Sequence, residues 1–486
     1  MKRIKNITAV LLTSLILLNA SCSGSTEAAT DSMITKIQET SEIIETTAET
    51  EGTNLELRDL DGAEFSILNL SEKAQFWNHL QMVSEEENGD TINDAIFTRN
   101  LNLSERINIV IKCDDADDPE NKLTKSVASG DNAYNIAYIR GSNISRFLGV
   151  NSEMLYDLAS DIPNINLENP WWTQRANKSI SIANRQFFAA NDISLSFFDS
   201  VMPLAMNLNL AVNYGLENPY ELVRSGKWTM DKVGEMMLAS TEDLNGDGEY
   251  TLKADRFGMF GMSEEYAALI NSGGSTLIAK DEHDIPYLNI NNERFINVFE
   301  KAVKTLNQSN VFANFRLSKF KIEGGDLSTF TSDYALFFSD VLYWISGMRD
   351  MESDFAILPR GKYDESQSEY YSTVHGSGTL LCIPVTTDPD FTGYVTEEFA
   401  FESYKTVIPA YYDTVLSVKY ARDEDSVEML DIIFESRVCD LGILLNIGNV
   451  YSNIIKMGEK GDTDVASLYA SIQSKAEAEI QKLIDE

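Results

Sequence analysis

Hydrophobic and polar positions change period along this 486-residue chain, and each change predicts an element. After Asp61-Gly62, the stretch EFSILNL sets Phe65, Ile67 and Leu68 in a strand-like run. NDAIFTRNLNLSER then pairs Ile96 with Leu103 and Phe97 with Leu101 at helical spacing. INIVIK, residues 107–112, alternates and is β-branched, which predicts a second strand. KLTKSVAS reads as a short helix, and YNIAYI, residues 134–139, as a third strand. Strand, helix, strand, helix, strand implies right-handed crossovers and a parallel sheet. Ligands of such sheets sit beyond the carboxyl ends of the strands. Residues 69–77, 114–117 and 140–143 are therefore the segments to watch.

The middle of the chain is punctuated differently. In SGKWTMDKVGEMMLAS, Thr229 is placed to cap a helix and Asp231 to complement its dipole, with Val233, Met236 and Met237 as the apolar stripe. Trp228, beside that helix start, is assigned to the core. A second stripe runs through RFINVFEKAVKTL, residues 294–306. DYALFFSDVLYWISGMRD returns to strand-like, aromatic text. Helices follow in EEFAFESYKTVIPAYYDTVLSVKYA and SVEMLDIIFESRVCDLGILL. Leu468, Ile472, Ala476 and Ile480 then recur at steps of four, an amphipathic helix.

The two ends of the first sixty residues carry no such pattern. Lys2, Arg3 and Lys5 precede an apolar run of about a dozen residues, shorter than the roughly 20 a spanning helix needs. This reads as an export signal. Its end, Asn19-Ala20-Ser21-Cys22, resembles the lipobox of bacterial lipoproteins, in which the cysteine becomes the lipidated first residue. Asn19 departs from the usual aliphatic residue there. Residues 23–54 are rich in Ser, Thr, Ala and Glu and have no Pro. Such a stretch buries too little apolar area to offset its ordering entropy, so it is expected to be a disordered spacer. A marginal helix through Met33, Ile37, Ile43 and Ile44 is the alternative.

Length and charge narrow the rest. A chain this long exceeds one core and divides into lobes. The net charge of −37 argues against nucleic acid and against an anionic membrane surface as partners. Cys113, Cys382 and Cys439 cannot all pair and show no metal spacing. His79, His283 and His375 lie far apart, and no hydrolase motif surrounds them.

Several phrases, in this order, carry a family likeness: INDAIFTRN, NPWW, GLENPYELVRSGKWTMDKV, DLNGDGEY, DFAILPRGKYDESQSEYYS and YARDEDSVEMLDIIF. Over roughly residues 58–450 the chain resembles the extracellular solute-binding proteins (family 1) of bacterial ABC importers, most of all the carbohydrate-associated lipoproteins. The resemblance implies an α/β, two-lobed periplasmic-binding-protein-like fold, each lobe a mostly parallel sheet flanked by helices, with the ligand cleft between them. The expected division is a signal peptide over 1–21, a linker over 22–56, and an N-terminal lobe over 57–165 with a returning segment at about 326–385. The C-terminal lobe takes 166–325 with helices from about 386–486. The implied function is capture of a sugar or oligosaccharide by a monomer, without catalysis, at the extracellular face of the membrane. Cys22 tethers the protein, and ABC permease subunits receive the ligand. A surface glycan-binding or sensory protein without transport, a peptide-binding member and a two-carboxylate glycosidase stay open as alternatives.

Sugars need aromatic faces for their C–H surfaces and planar polar groups for their hydroxyls. Trp77 follows the first strand, where a cleft residue belongs. FFSD, residues 337–340, matches a strand that returns to the cleft in similar proteins and is followed by an aromatic, so Ser339 and Asp340 within it and Tyr343 and Trp344 just after it are candidates. Trp171, Trp172 and Asp192 lie near one expected crossover and His375 near another. Each of these side chains also suits a core.

DLNGDGEYTLKAD resembles an EF-hand calcium loop. Asp243, Asn245 and Asp247 alternate, Gly248 permits the turn, and Glu249 (backbone carbonyl), Thr251 and Asp255 complete the candidate set for a structural Ca²⁺. Ala254 stands at position twelve, where the pattern calls for a carboxylate. A turn without an ion is the alternative reading.

Overall fold

The computed structural model describes residues 52–322, 326–348, 350–416 and 424–484. Cys22, the expected lipidation site, and with it the expected signal peptide and nearly all of the expected linker lie outside the described residues.

The first sheet forms as its pattern predicts. Strand β1 (Ala63–Leu70) is buried from Ile67 onward, pairs in parallel with β2 (Ile109–Ala116) along its whole length, and pairs in parallel with β3 (Ile136–Arg140) on its other side. Helices α1 (Thr91–Ile107) and α2 (Pro119–Ser129) make the crossovers. Asp90 caps α1 by accepting from the Ile92 and Asn93 amides, and Asn108 ends it in the left-handed region.

The second sheet is built from later segments. Its strands are β4 (Leu204–Asn207), β5 (Phe257–Gly261), β8 (Phe312–Asn314), β9 (Ala335–Ser339) and β10 (Phe355–Leu358), in the order β10-β4-β9-β5-β8. A hairpin, β6 (Ile278–Lys280) with β7 (Pro286–Leu288), stands apart. Pairing of β5 with β8 and β9 is parallel, whereas β4 runs antiparallel to both its neighbours. Helix α3 (Met230–Ser240) starts at Thr229, whose side chain accepts from the Lys232 amide, and buries Val233, Met236 and Met237. It lies so close on β5 that a Cβ at Gly258 would come within 2.6 Å of the Met237 carbonyl oxygen. Helices α4 (Glu265–Ser272) and α5 (Glu293–Leu306) pack together on the same core.

Two differences from the expected division stand out, and one expected helix is broken. Of segment 326–385, β9 and β10 join the second sheet, and only β12 (Thr379–Cys382) returns to the first, antiparallel to β3. Helix α6 (Pro389–Leu416) packs on α1 and contributes Tyr394, Val395 and Phe399 to the first sheet's core. Helix α7 (Glu424–Glu435) packs on β10 instead. Wholly apolar strands such as ALFFS suit either sheet, so hydrogen-bond partners rather than hydropathy assign them. The expected helix over SVEMLDIIFESRVCDLGILL also breaks. β11 (Ser372–Thr373) pairs with β13 (Arg437–Val438), and buried Asp440 then caps a new turn by accepting from the Gly442, Leu277 and Ile278 amides. Helices α8 (Val450–Lys460) and α9 (Val465–Ile484) close the chain, with Ile472, Ala476 and Ile480 buried.

Residues from Leu55 onward form one compact unit. The chain passes from the first sheet to the second after β3 and back before β12. Those two passages run side by side and antiparallel: Met202 donates to the Thr373 carbonyl (2.9 Å), and His375 to that of Ser200 (2.8 Å).

Candidate ligand-binding cleft

The carboxyl ends of β1 and β3 open onto the paired crossovers. There a cavity of about 340 Å³ is lined by Gln75 and Trp77 after β1, by Arg140, Ser142 and Asn143 after β3, and by His375 and Ser377 on the return crossover. Ile443 and Tyr451 close it from the C-terminal helices. The polar lining residues hold one another in place. Arg140 donates through Nε to Gln75 Oε1 (2.9 Å) and through Nη2 to the Ala74 carbonyl (3.0 Å). Gln75 Nε2 in turn donates to the Ser377 carbonyl (3.0 Å). His375 Nδ1 lies 2.8 Å from Ser377 Oγ, and burial pulls the imidazole pKa down, which favours the neutral ring.

Aromatic rings gather beside the cavity. Trp77, Phe315, Tyr343 and Trp344 are half-buried against Met202, Met262, Ala268 and Val341. The Trp77 ring stands 6.3 Å from that of His375. Phe76 is 68% exposed and meets Trp344 edge-on at 6.2 Å, while Tyr343 Oη donates to the Phe76 carbonyl (3.3 Å). Thus the loop after β1 and the turn after β9 touch through aromatic side chains. Asp340, which begins that turn, has its pKa pushed up to about 7. Burial is the main cause, opposed by a hydrogen bond from the Val341 amide (2.7 Å) and by Arg316, and reinforced by Glu264. Arg316 and Glu264 lie 3.7 Å apart. Rings presenting faces beside amide, guanidinium and carboxylate groups suit a hydroxyl-rich, partly apolar molecule.

The structure therefore brings Trp77 and His375 to one cavity and sets Tyr343, Trp344 and Asp340 beside it. Four other candidates do not reach it. Trp171 and Trp172 are sealed in the first sheet's core, and their indole N–H groups donate to the two oxygens of Glu397 (2.9 Å each). Two adjacent tryptophans find a buried acceptor there, so they anchor α6 rather than face solvent. Asp192 is buried beside them, its amide donating to the Trp171 carbonyl (3.0 Å). Ser339 is fully buried behind the cleft, donating to Glu265 and accepting from Arg360 Nη2 (2.7 Å). Arg360 and Glu265 form a buried ion pair (2.5 Å), and Arg360 also holds the Pro203 carbonyl on the outgoing crossover (3.1 Å). Gln75, Arg140 and Asn143 fall within the segments singled out by the strand-end rule. Phe315 and Tyr451 carried no sequence signal, because only the packing of distant elements brings them in.

In the calcium-like loop, the side chains close the turn on themselves. Asp243 accepts from the Gly246 (2.7 Å) and Gly248 (2.8 Å) amides, Asn245 from Asp247 (2.8 Å), and Asp247 from Glu249 (2.7 Å). Buried Asp255 accepts from the Leu244 (3.1 Å) and Thr251 (2.9 Å) amides. Among the described residues no group of three or more His, Cys, Asp or Glu stands close enough to hold a metal ion.

No protein-family model matches the chain, and no curated protein matches it. Solved structures do. An ABC substrate-binding protein of Listeria monocytogenes in complex with cycloalternan aligns over 86% of this chain and 99% of its own, at 12% identity and a TM-score of 0.54. The apo form of RafE from Streptococcus pneumoniae aligns over 86% and 98%, at 13% identity and a TM-score of 0.52. The fold is that of the ABC substrate-binding proteins. A cyclic α-maltosyl-1,6-maltose binding protein from Arthrobacter globiformis shares it, over 87% and 98%, at 12% identity and a TM-score of 0.52. The cavity described above lies where the paired crossovers pass between the two sheets.

Proposed function

We propose that this protein captures a sugar or oligosaccharide in the cleft beside Trp77 and delivers it to an ABC permease. The observation that carries the reading is the meeting of half-buried aromatic rings with fixed polar side chains, at the strand ends and crossovers of a substrate-binding-protein fold. The likeness to a Listeria protein solved with cycloalternan and an Arthrobacter protein named for cyclic α-maltosyl-1,6-maltose supports the choice of sugar. No site for bond cleavage enters the reading, so the protein acts as a binder and not as an enzyme. In the same proposal Cys22 carries the lipid, residues 22–56 space the binding unit from the membrane, and the protein works as a monomer on the outer face.

A thermal-shift screen against cycloalternan, cyclic maltosyl-maltose, linear maltooligosaccharides, amino acids and short peptides tests the ligand class. A ligand that binds only the native state raises Tm by mass action. A rise with sugars alone supports the proposal, whereas a rise confined to peptides overturns the ligand. Metabolic labelling with palmitate, lost in Cys22→Ala, tests the anchor. A structural Ca²⁺ in the 243–255 loop is a separate proposal, carried by the Asp243, Asn245, Asp247 alternation. It is refuted if chelator-treated protein shows neither heat nor a Tm change on adding millimolar Ca²⁺.

A further inference from the structure

The loop between β1 and α1 has no regular structure over residues 71–90, yet it must hold Phe76 and Trp77 still. Two polar anchors flank the pair. Before it, Ala74 and Gln75 are tied to Arg140 and Ser377 as described above. After it, Asn78 Nδ2 donates to Ser196 Oγ (2.8 Å) and Ser200 Oγ (3.0 Å), both on the outgoing crossover. Next comes His79, whose backbone N–H donates to Asp199 Oδ2 (2.5 Å) and whose Nδ1–H lies 3.0 Å from both carboxylate oxygens. Tyr411 Oη on α6 donates to the same carboxylate (2.8 Å). Asp199 is fully buried, and the next residue, Ser200, accepts the amide of His375 on the return crossover. The aromatic loop, α6 and the paired crossovers therefore share one buried carboxylate.

We propose that His79 is a positioning residue for the ligand platform: its paired contacts with Asp199 register Phe76 and Trp77 against the crossovers, so ligand affinity follows the protonation of His79. This inference rests on the cleft being the ligand site. The groups facing His79 are few. Asp199 comes from the crossover, Tyr411 from α6 with its ring edge-on at 6.1 Å, and Tyr343 from the turn after β9 at 5.4 Å. Glu72 and Asp90 act from its own loop, and the charge of Arg437 reaches Tyr411. Burial pulls the imidazole pKa down, but the charge and hydrogen bond of Asp199, with Asp90 and Glu72, outweigh it and the net shift is upward. A raised value means the pair contributes fully below the ordinary histidine pKa of about 6.5 and is lost as pH rises through the folded-state pKa.

The test follows hydrogen–deuterium exchange of peptides covering residues 71–82 in the full chain between pH 6 and 9, corrected for the intrinsic chemical rate. In the wild type, protection falls severalfold across that range, because neutral His79 loses the ion-pair part of its contact with Asp199 while the neutral hydrogen bond remains. In His79→Asn, which keeps a neutral donor near the Nδ1 position, protection is already low at pH 6 and stays flat. Asn78→Ala, which removes a neutral anchor, lowers protection by the same factor at every pH. Affinity for cycloalternan, cyclic maltosyl-maltose or maltotriose then declines with pH in parallel with the wild-type loop. Wild-type protection that does not change with pH, or a His79→Asn loop with the wild-type profile, overturns the inference. If the wild type binds none of the sugars while the loop titrates, the sugar reading fails and the role of His79 in holding the loop survives.

Discussion

Substitution of Glu397 decides whether Trp171 and Trp172 are core or cleft. Glu397 is fully buried on α6 and accepts four hydrogen bonds: from Trp171 Nε1 and Trp172 Nε1 (2.9 Å each), Asn169 Nδ2 (2.5 Å) and the Asn166 amide (3.2 Å). In Glu397→Ala all four donors lose their acceptor. Each orphaned buried donor costs about 1–3 kcal/mol, and because relaxation within one network makes such costs less than additive, the total comes to about 4–6 kcal/mol. A unit of about 430 residues unfolds with an entropy near 0.9 kcal/mol per kelvin, so Tm falls by about 4–7 °C. In Glu397→Gln one oxygen remains, but the new NH₂ group faces a donor, and the loss is about half as large. Differential scanning calorimetry reads both variants, and titration calorimetry with the sugar found in the screen reads affinity. Affinity stays within about twofold of the wild type, because the two indoles have no route to the cleft. A Glu397→Ala protein melting within about 1 °C of the wild type, or one that keeps its Tm and loses sugar, refutes the assignment.

The remaining predictions concern the cleft and its support. Trp77→Ala and Trp344→Ala each weaken sugar binding by about two- to tenfold, the worth of one aromatic face; unchanged affinity in both variants removes the aromatic platform from the reading. Asp340, with its pKa raised from 3.8 to about 7, binds its proton more tightly in the folded state. Its contribution is therefore present at pH 4 and lost as pH rises to about 7. The wild-type Tm then falls across that window relative to Asp340→Asn, and parallel curves refute the shift. Arg360→Met leaves Glu265 buried without its cation and costs about 3–5 kcal/mol, read as a lowered Tm that Arg360→Met/Glu265→Gln partly restores. No recovery in the double variant means that the ion pair is not the source of the loss.

Much of the first sheet was legible because its segments are local: β1, α1, β2, α2 and β3 follow one another and carry their own caps and periods. The same order located residues 69–77 and 140–143, since a parallel sheet presents its strand ends on one side. The lobe boundaries were less legible. ALFFS, residues 335–339, has no polar face to say which sheet it joins, and hydrogen bonding to β4 and β5 settles it. Trp171 and Trp172 show a second limit. A tryptophan near a crossover has the same composition whether its ring faces a ligand or its N–H meets a buried carboxylate, and Glu397 lies 225 residues further on.

By itself, the amino-acid sequence determined what depends on neighbours: the periods, the caps at Asp90 and Thr229, the parallel order of the first three strands and the strong acidic balance. Only the tertiary structure decided what depends on partners far along the chain. It sealed Ser339 behind an Arg360–Glu265 pair, brought Tyr451 and Arg140 to one cavity, and joined His79, Asp199 and Tyr411 at the outgoing crossover. Those contacts are directional and close at about 3 Å between residues tens to hundreds of positions apart, so no local pattern encodes them.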